Sequence, residues 1–129
     1  MLMNDTDTPV ATLRHLVASF VNERDWQQFH SPKNLSMSLA IEAAELMEHF
    51  QWISVEESRA IAQQTEKVHA VAEELADVVS YALALANELS VDITQAIHAK
   101  MIRNAEKYPA KKYRGRYGPE DTKKDDRQD

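Results

Sequence analysis

The chain contains no cysteine, which excludes disulfides and thiolate metal sites and fits a reducing compartment. Two glycines and four prolines in 129 residues leave long stretches free of helix breakers. No apolar run approaches the roughly 20 residues of a membrane span. The opening Met1-Leu2-Met3-Asn4-Asp5 has no basic region ahead of an apolar run, so no signal peptide is read there. The expected address is cytoplasmic, with no membrane partner. Positive charge is also scarce: the net charge is -6, and residues 110–129, with seven basic and five acidic side chains, leave -8 for residues 1–109. An acidic body argues against duplex nucleic acid as the main partner. It suits a site that takes cations first and an anionic ligand through them.

What is present is helical period. Thr8-Pro9 reads as a cap-plus-proline start, with Thr8 at the N-cap, and Val10, Leu13, Leu16, Val17, Phe20 and Val21 recur at helical spacing over about 9–25. Residues 1–7 are expected to fray. Ser31-Pro32 starts a second helix, about 32–52, and Ser54-Val55-Glu56-Glu57 has the spacing of a capping box opening a short, exposed segment over 55–66. Val71, Leu75, Val78, Ala82, Leu85 and Leu89 form an apolar stripe on a helix at about 67–89, with Glu74, Asp77 and Tyr81 in a stripe beside it. Asp92 with Gln95 resembles an N-terminal capping pair for a last helix at about 93–107, stopped by Pro109. No strand-like alternation and no repeat are found. The expectation is an all-α protein, four main helices in an antiparallel bundle spanning 1–109, followed by a charged, mobile tail over 110–129.

The second helix, with its core at Ser36–Phe50, is apolar nearly all round, yet carries Glu42 and Glu45. An all-round apolar helix belongs in a core. Carboxylates go there only when paired or bound to metal. On the helical wheel Glu42 falls in the stripe of Leu35, Leu39, Leu46 and Phe50, with Glu45 at its margin. Ala40, Ala43 and Ala44 on other faces would let neighbouring helices come close. Glu74 and Asp77 repeat the i, i+3 spacing downstream. Packed antiparallel, the two helices bring up to four carboxylates together, and their repulsion calls for a cation. Magnesium or manganese takes oxygen ligands and shares them with substrate phosphates, which points to metal-assisted chemistry on a polyphosphate. Taken alone, a Glu-x-x-Glu pair is an ordinary solvated acid pair. Two features argue otherwise here: the position of Glu42 in the apolar stripe, and the lack of any Lys or Arg between Asn34 and Arg59.

A di-iron carboxylate bundle needs Glu-x-x-His twice, and the chain has it once, at Glu66–His69. His15, His30 and His98 read as surface or packing residues rather than ligands. Trp26, Trp52, Phe29 and Tyr81 offer flat faces for a nucleobase, against the more common fate of an aromatic in a core. Lys100, Arg103, Asn104 and Lys107 line one side of the last helix and can neutralise phosphates, or form a solvated charged face.

Glu42-x-x-Glu45, a 28-residue interval and Glu74-x-x-Asp77 resemble the signature of the all-α MazG-like nucleotide pyrophosphohydrolases. The words from Glu23 to His30, Pro32-Lys33-Asn34-Leu35, Phe50-Gln51-Trp52, Glu73 to Val78, Val91-Asp92 and Lys100-Met101-x-x-Asn104-x-x-x-Tyr108-Pro109 are similar to the dCTP pyrophosphatase branch. The resemblance runs from about residue 10 to 113. It implies a homo-oligomer, tetramer over dimer, with sites near subunit interfaces. It also implies Mg2+-dependent cleavage of a nucleoside triphosphate, dCTP or a modified deoxynucleotide, to the monophosphate and pyrophosphate, with Mn2+ as a possible substitute. By position Glu42, Glu45, Glu74 and Asp77 would hold the metal, and one of them would orient or deprotonate the attacking water. Trp26, His30, Trp52 and Tyr81 would bind base and sugar, and Lys100, Asn104 and Tyr108 phosphates or sugar. The chain departs from the family pattern at Ile41 and Ala43-Ala44, where many relatives carry glycine. It departs again at Val17, where mammalian members carry a pocket histidine, and in a shorter segment between Trp52 and Glu73. The same chemistry on dUTP or another nucleotide stays open. So does a helical interaction module whose acids are merely solvated.

Overall fold

In the computed structural model residues 2–118 are described. Among them are six α-helices and no strand: α1 (Val10–Glu23), α2 (Pro32–Glu48), α3 (Val55–Ala60), α4 (Thr65–Glu88), α5 (Ile93–Lys107) and α6 (Ala110–Tyr113). The all-α expectation holds. The chain divides into two compact units, Met1–Val91 and Asp92–Asp129. The anticipated tail begins with the short α6, and residues 119–129 lie outside the described residues.

Three of the anticipated starts are made by the side chains named for them. Ser31 Oγ accepts from the Asn34 N–H at 3.2 Å with Pro32 at the first helical position. Asp92 accepts from the Gln95 N–H at 2.9 Å. In the capping box, Ser54 N–H donates to Glu57 Oε2 at 2.7 Å and Glu57 N–H to Ser54 Oγ at 3.1 Å. The backbone bond from Ser54 holds the Glu57 carboxyl below the usual carboxylate range. The first start differs. Pro9 itself occupies the N-cap of α1, and the Thr8 hydroxyl instead accepts from the Asn4 N–H at 3.1 Å. Asn4 Oδ1 also accepts from the N–H groups of Thr6 and Asp7, at 2.9 Å each, so residues 4–8 form a side-chain-stapled turn rather than a frayed end. Helix α2 ends at Glu48, before Trp52, and Ile61, inside the segment expected to be exposed, is buried in a 3-10 turn that packs against α4.

Within the first unit α4 is the central element, packed by α2 and α1. Arg14, near the start of α1, donates from Nε to Asn87 Oδ1 (2.9 Å), near the end of α4, and Asn87 Nδ2 returns a bond to the Arg14 carbonyl at 3.1 Å. Arg14 Nη1 also reaches the Val91 carbonyl, 2.5 Å away, so a half-buried guanidinium is satisfied by neutral acceptors at the negative end of α4. This clip and the facing of later α1 residues to Asp77–Ala84 set α1 antiparallel to α4. The buried core is small: Val21, Leu35, Ile61, Leu83, Ala84 and Ala86, with Leu35 only 1% exposed. Along α2 and the turn that follows it the inward stripe is the anticipated one, with Leu35 buried and Leu39, Glu42, Leu46 and, in the turn, Phe50 half-buried. The remaining apolar faces of α2 stay open, with Met37, Ile41 and Met47 at 54%, 58% and 56% exposure.

Candidate metal and nucleotide site

Glu42 sits in the middle of the inward stripe of α2, and α4 lies against that stripe. The register brings Glu42, Glu45 and Glu74 together, with one carboxylate oxygen of each within 4.8 Å of the others. Glu42 Oε2 and Glu74 Oε2 are buried and have no hydrogen-bond partner. Among the described residues no Lys or Arg pairs with any of the four acids; the ion pairs are Arg24–Glu23 and the exposed His69–Glu73.

Two buried oxygens without partners, on half-buried acids beside a third acid, are costly. The electrostatics record that cost. Burial pushes the Glu42 carboxyl above its usual range, and the close approach and charge of Glu45, then the charges of Asp77 and Glu74, push the same way. Glu74 is raised by burial and by Glu45 and Asp77, partly offset by His49. A hard divalent cation fits this donor set, since it supplies the missing partner for both orphaned oxygens and neutralises the mutual repulsion. Glu42, Glu45 and Glu74 can therefore hold a metal ion. Asp77 lies outside the tightest group, but its charge acts on both Glu42 and Glu74.

Asp77 also opens onto a cavity of about 450 Å³ between α1 and α4. One wall is apolar and comes from α1: Leu16, Val17, Phe20 and Val21. The opposite wall is a single face of α4, with Asp77, Ser80, Tyr81 and Ala84 at i, i+3, i+4 and i+7. Trp26 and His30 close one side. They are placed there by Asp25, whose left-handed backbone (φ 51°) turns the chain out of α1 into a 3-10 turn, Trp26–Phe29. The rings then run in series: Phe20 to Trp26 at 5.7 Å, Trp26 to His30 at 6.4 Å and His30 to Tyr81 at 6.5 Å between centroids. Arg24 stacks on Phe20, 3.7 Å from the ring centroid.

Of the residues singled out from sequence, Trp26, His30, Asp77 and Tyr81 share this cavity, and Glu42, Glu45 and Glu74 share the acid cluster beside it. Trp52 is 88% exposed in the turn after α2 and does not line the cavity. Lys100, Asn104 and Tyr108 belong to the second unit. There Asn104 is half-buried and its carbonyl accepts from the Tyr108 N–H at 2.8 Å, while Lys107 lies over the Tyr108 ring. The sequence reading missed Ser80, although its i+3 spacing from Asp77 was visible. Leu16, Val17, Phe20 and Val21, read from sequence only as recurring at helical spacing, with Val17 at the position of a relative's pocket histidine, line a cavity because α1 meets α4 without closing the seam.

The class thereby defined is an all-α chain with a carboxylate cluster able to hold a cation beside an aromatic-sided cavity. A model of the MazG-like family matches residues 37–117, and the chain belongs to that family. The protein named dCTP pyrophosphatase 1 of Rattus norvegicus is 45% identical over 103 residues, which cover 80% of this chain and 61% of the rat protein. Its Homo sapiens counterpart of the same name is 43% identical over 98 residues, 76% of this chain and 58% of that protein. The chain thus spans about three-fifths of the length of the curated relatives it matches. A crystal structure titled as a pyrophosphatase from Archaeoglobus fulgidus is 34% identical, with a TM-score of 0.70, covering 84% of this chain and 99% of that one.

Proposed function

We propose that this chain is a Mg2+-dependent nucleoside triphosphate pyrophosphohydrolase that converts a deoxynucleotide, dCTP or a modified relative, to the monophosphate and pyrophosphate. The observation that carries the reading is the pair of buried, unpartnered oxygens on Glu42 and Glu74 beside Glu45, next to a cavity of nucleoside size. The names of the rat and human relatives and of the archaeal structure support the reaction class and the base.

In this reading Glu42, Glu45, Glu74 and Asp77 hold the metal. A bound divalent cation neutralises phosphate charge and polarises a phosphoryl oxygen. The chain's own residues do the rest. The α1 wall and Trp26 exclude water from one side of the nucleoside and offer apolar and aromatic surface to the base. Tyr81 on the α4 wall and His30 beside Trp26 offer hydrogen-bonding edges. One carboxylate of the acid cluster would also orient or deprotonate the attacking water. Lys100, Asn104 and Tyr108 are assigned to phosphate or sugar contacts on the resemblance alone, and Trp52 to the base pocket on the same ground.

The test is a panel of canonical and modified nucleoside triphosphates with Mg2+, read by pyrophosphate release. Release of pyrophosphate, rather than orthophosphate, from at least one deoxynucleotide is expected. A purified chain that is inert on the whole panel overturns the reading.

The working form is inferred to be a homo-oligomer, tetramer over dimer. Six buried apolar residues are a small core for a chain with 43% hydrophobic side chains, and Met37, Ile41 and Met47 on α2 and Val79 on α4 remain open. Exposed Ala40, Ala43 and Ala44 leave the α2 backbone approachable along the same helix. Ile41→Glu is expected to shift the mass seen by light scattering to that of a smaller species, with loss of thermal stability. A wild-type chain that is monomeric at micromolar concentration overturns the inference.

A further inference from the structure

The α4 wall of the cavity has an order along its length. An α-helix rises about 1.5 Å per residue, so Ser80 stands roughly 4.5 Å beyond Asp77 along the axis and Ala84 roughly 10.5 Å. At the Asp77 end lies the acid cluster, since the Asp77 charge acts on Glu42 and Glu74. At the Ala84 end Val17 and Val21 of α1 also line the space, ahead of the polar Asn87 and Glu88 further along α4. Between them stand Ser80 and Tyr81, and of their two hydroxyls that of Ser80 is on a side chain short enough to leave the space open.

A helical serine either returns its hydroxyl to the backbone of the preceding turn or leaves it free to meet solvent or a ligand. Ser36 and Ser58 do the first here, donating to the carbonyls of Lys33 and Val55 at 2.7 and 2.6 Å. The Ser80 hydroxyl makes no hydrogen bond among the described residues, and the exposed side chain lines the cavity, as does that of Tyr81 one position on. In a mid-helix position where alanine would be the better helix former, a serine with an idle hydroxyl facing a cavity is a group waiting for a ligand.

We infer that Ser80 reads the sugar, its hydroxyl hydrogen-bonding the 3′-hydroxyl of the bound nucleotide's pentose. This rests on the pyrophosphohydrolase reading above. With phosphates at the acid end, the pentose, joined to the α-phosphate by one CH2–O link, comes next along the stripe, at the level of Ser80. The base then falls in the apolar end beside Ala84. Both hydroxyls can donate and accept, so the pair is satisfiable in either sense.

The experiment compares the wild type with Ser80→Ala and Ser80→Thr, using the best nucleotide of the panel in its 2′-deoxy and 2′,3′-dideoxy forms. One net hydrogen bond corresponds to about a fivefold effect. The wild type is expected to prefer the deoxy form about fivefold in kcat/KM. Ser80→Ala lowers the deoxy value by about that factor and leaves the dideoxy value within about twofold, so the preference collapses; Ser80→Thr retains it. Alanine at this site favours the helix, so unchanged melting is expected. A wild type indifferent to the 3′-hydroxyl, or a preference that survives in Ser80→Ala, or an equal loss on both forms, overturns the inference while turnover itself keeps the enzyme reading intact. A wild type with no turnover overturns both.

Discussion

Glu42→Gln is expected to lower pyrophosphate release by about 10³-fold, the scale seen when a preorganised charged or polar group is removed from a reacting centre, and at the same time to raise the melting temperature of the metal-free protein. The two effects have one cause. Gln keeps the shape of Glu42 in the stripe between Leu39 and Leu46 but carries no charge, so the buried repulsion with Glu45, Glu74 and Asp77 is relieved. The same loss of charge removes a ligand from the cation site. A protein that becomes more stable as it becomes inactive marks a site whose acids are kept for chemistry rather than for folding. Asp77→Asn is expected to reduce turnover similarly with less gain in stability, because Asp77 is exposed and has no orphaned buried oxygen. Pyrophosphate assays and melting curves in chelator check both. A Glu42→Gln protein retaining turnover within tenfold of wild type, or melting lower than wild type without metal, would remove Glu42 from the site.

How much of this was legible in the sequence depends on the distance over which each feature is determined. The inward stripe of α2, with Glu42 inside it, follows from a local period of 3.6 and needed nothing else. The Ser31, Ser54 and Asp92 caps are equally local, each a side chain bonding a backbone N–H three residues on. Thr8 was misread because its hydroxyl is claimed from upstream, by the Asn4 N–H, and a cap motif does not reveal a competitor. The coming together of Glu42, Glu45 and Glu74 required pairing α2 with α4, and the repeated i, i+3 acids made that pairing readable. The cavity was not readable, since a period cannot distinguish a helix face that meets its neighbour from one that leaves a gap. The open faces of α2 were foreshadowed by its all-round apolar character, which one chain does not cover.

The melting temperature is expected to respond to Mg2+ in a pH-dependent way, and the sign follows from the acids. Burial and mutual repulsion hold the carboxyls of Glu42 and Glu74 above their ordinary 4.5 in the folded state. Such groups favour folding fully while protonated, below the unfolded value, and that contribution is lost as pH rises through the raised folded values. Glu57, held low by its capping bond from Ser54, acts in the opposite sense, with stability present above 4.5 and lost as pH falls through its lowered value. The cluster's share is therefore isolated by comparing wild type with Glu42→Gln, in which the capping box is untouched. In chelator the wild type should lose ground against the variant as pH rises from 4.5 through the raised folded values of these acids. Mg2+ competes with protons for the same oxygens, so its benefit should grow over that range. At about 100 times its Kd, a ligand that binds only the folded state contributes about 2.7 kcal/mol. With about 4 °C per kcal/mol for a chain of this size, that is a rise of roughly 10 °C. Mn2+ should act alike, and Glu42→Gln should respond to neither. A wild-type melting temperature indifferent to both metals at the upper end of the range would make the three acids a solvated helix face, and would return the chain to the helical interaction module as its reading.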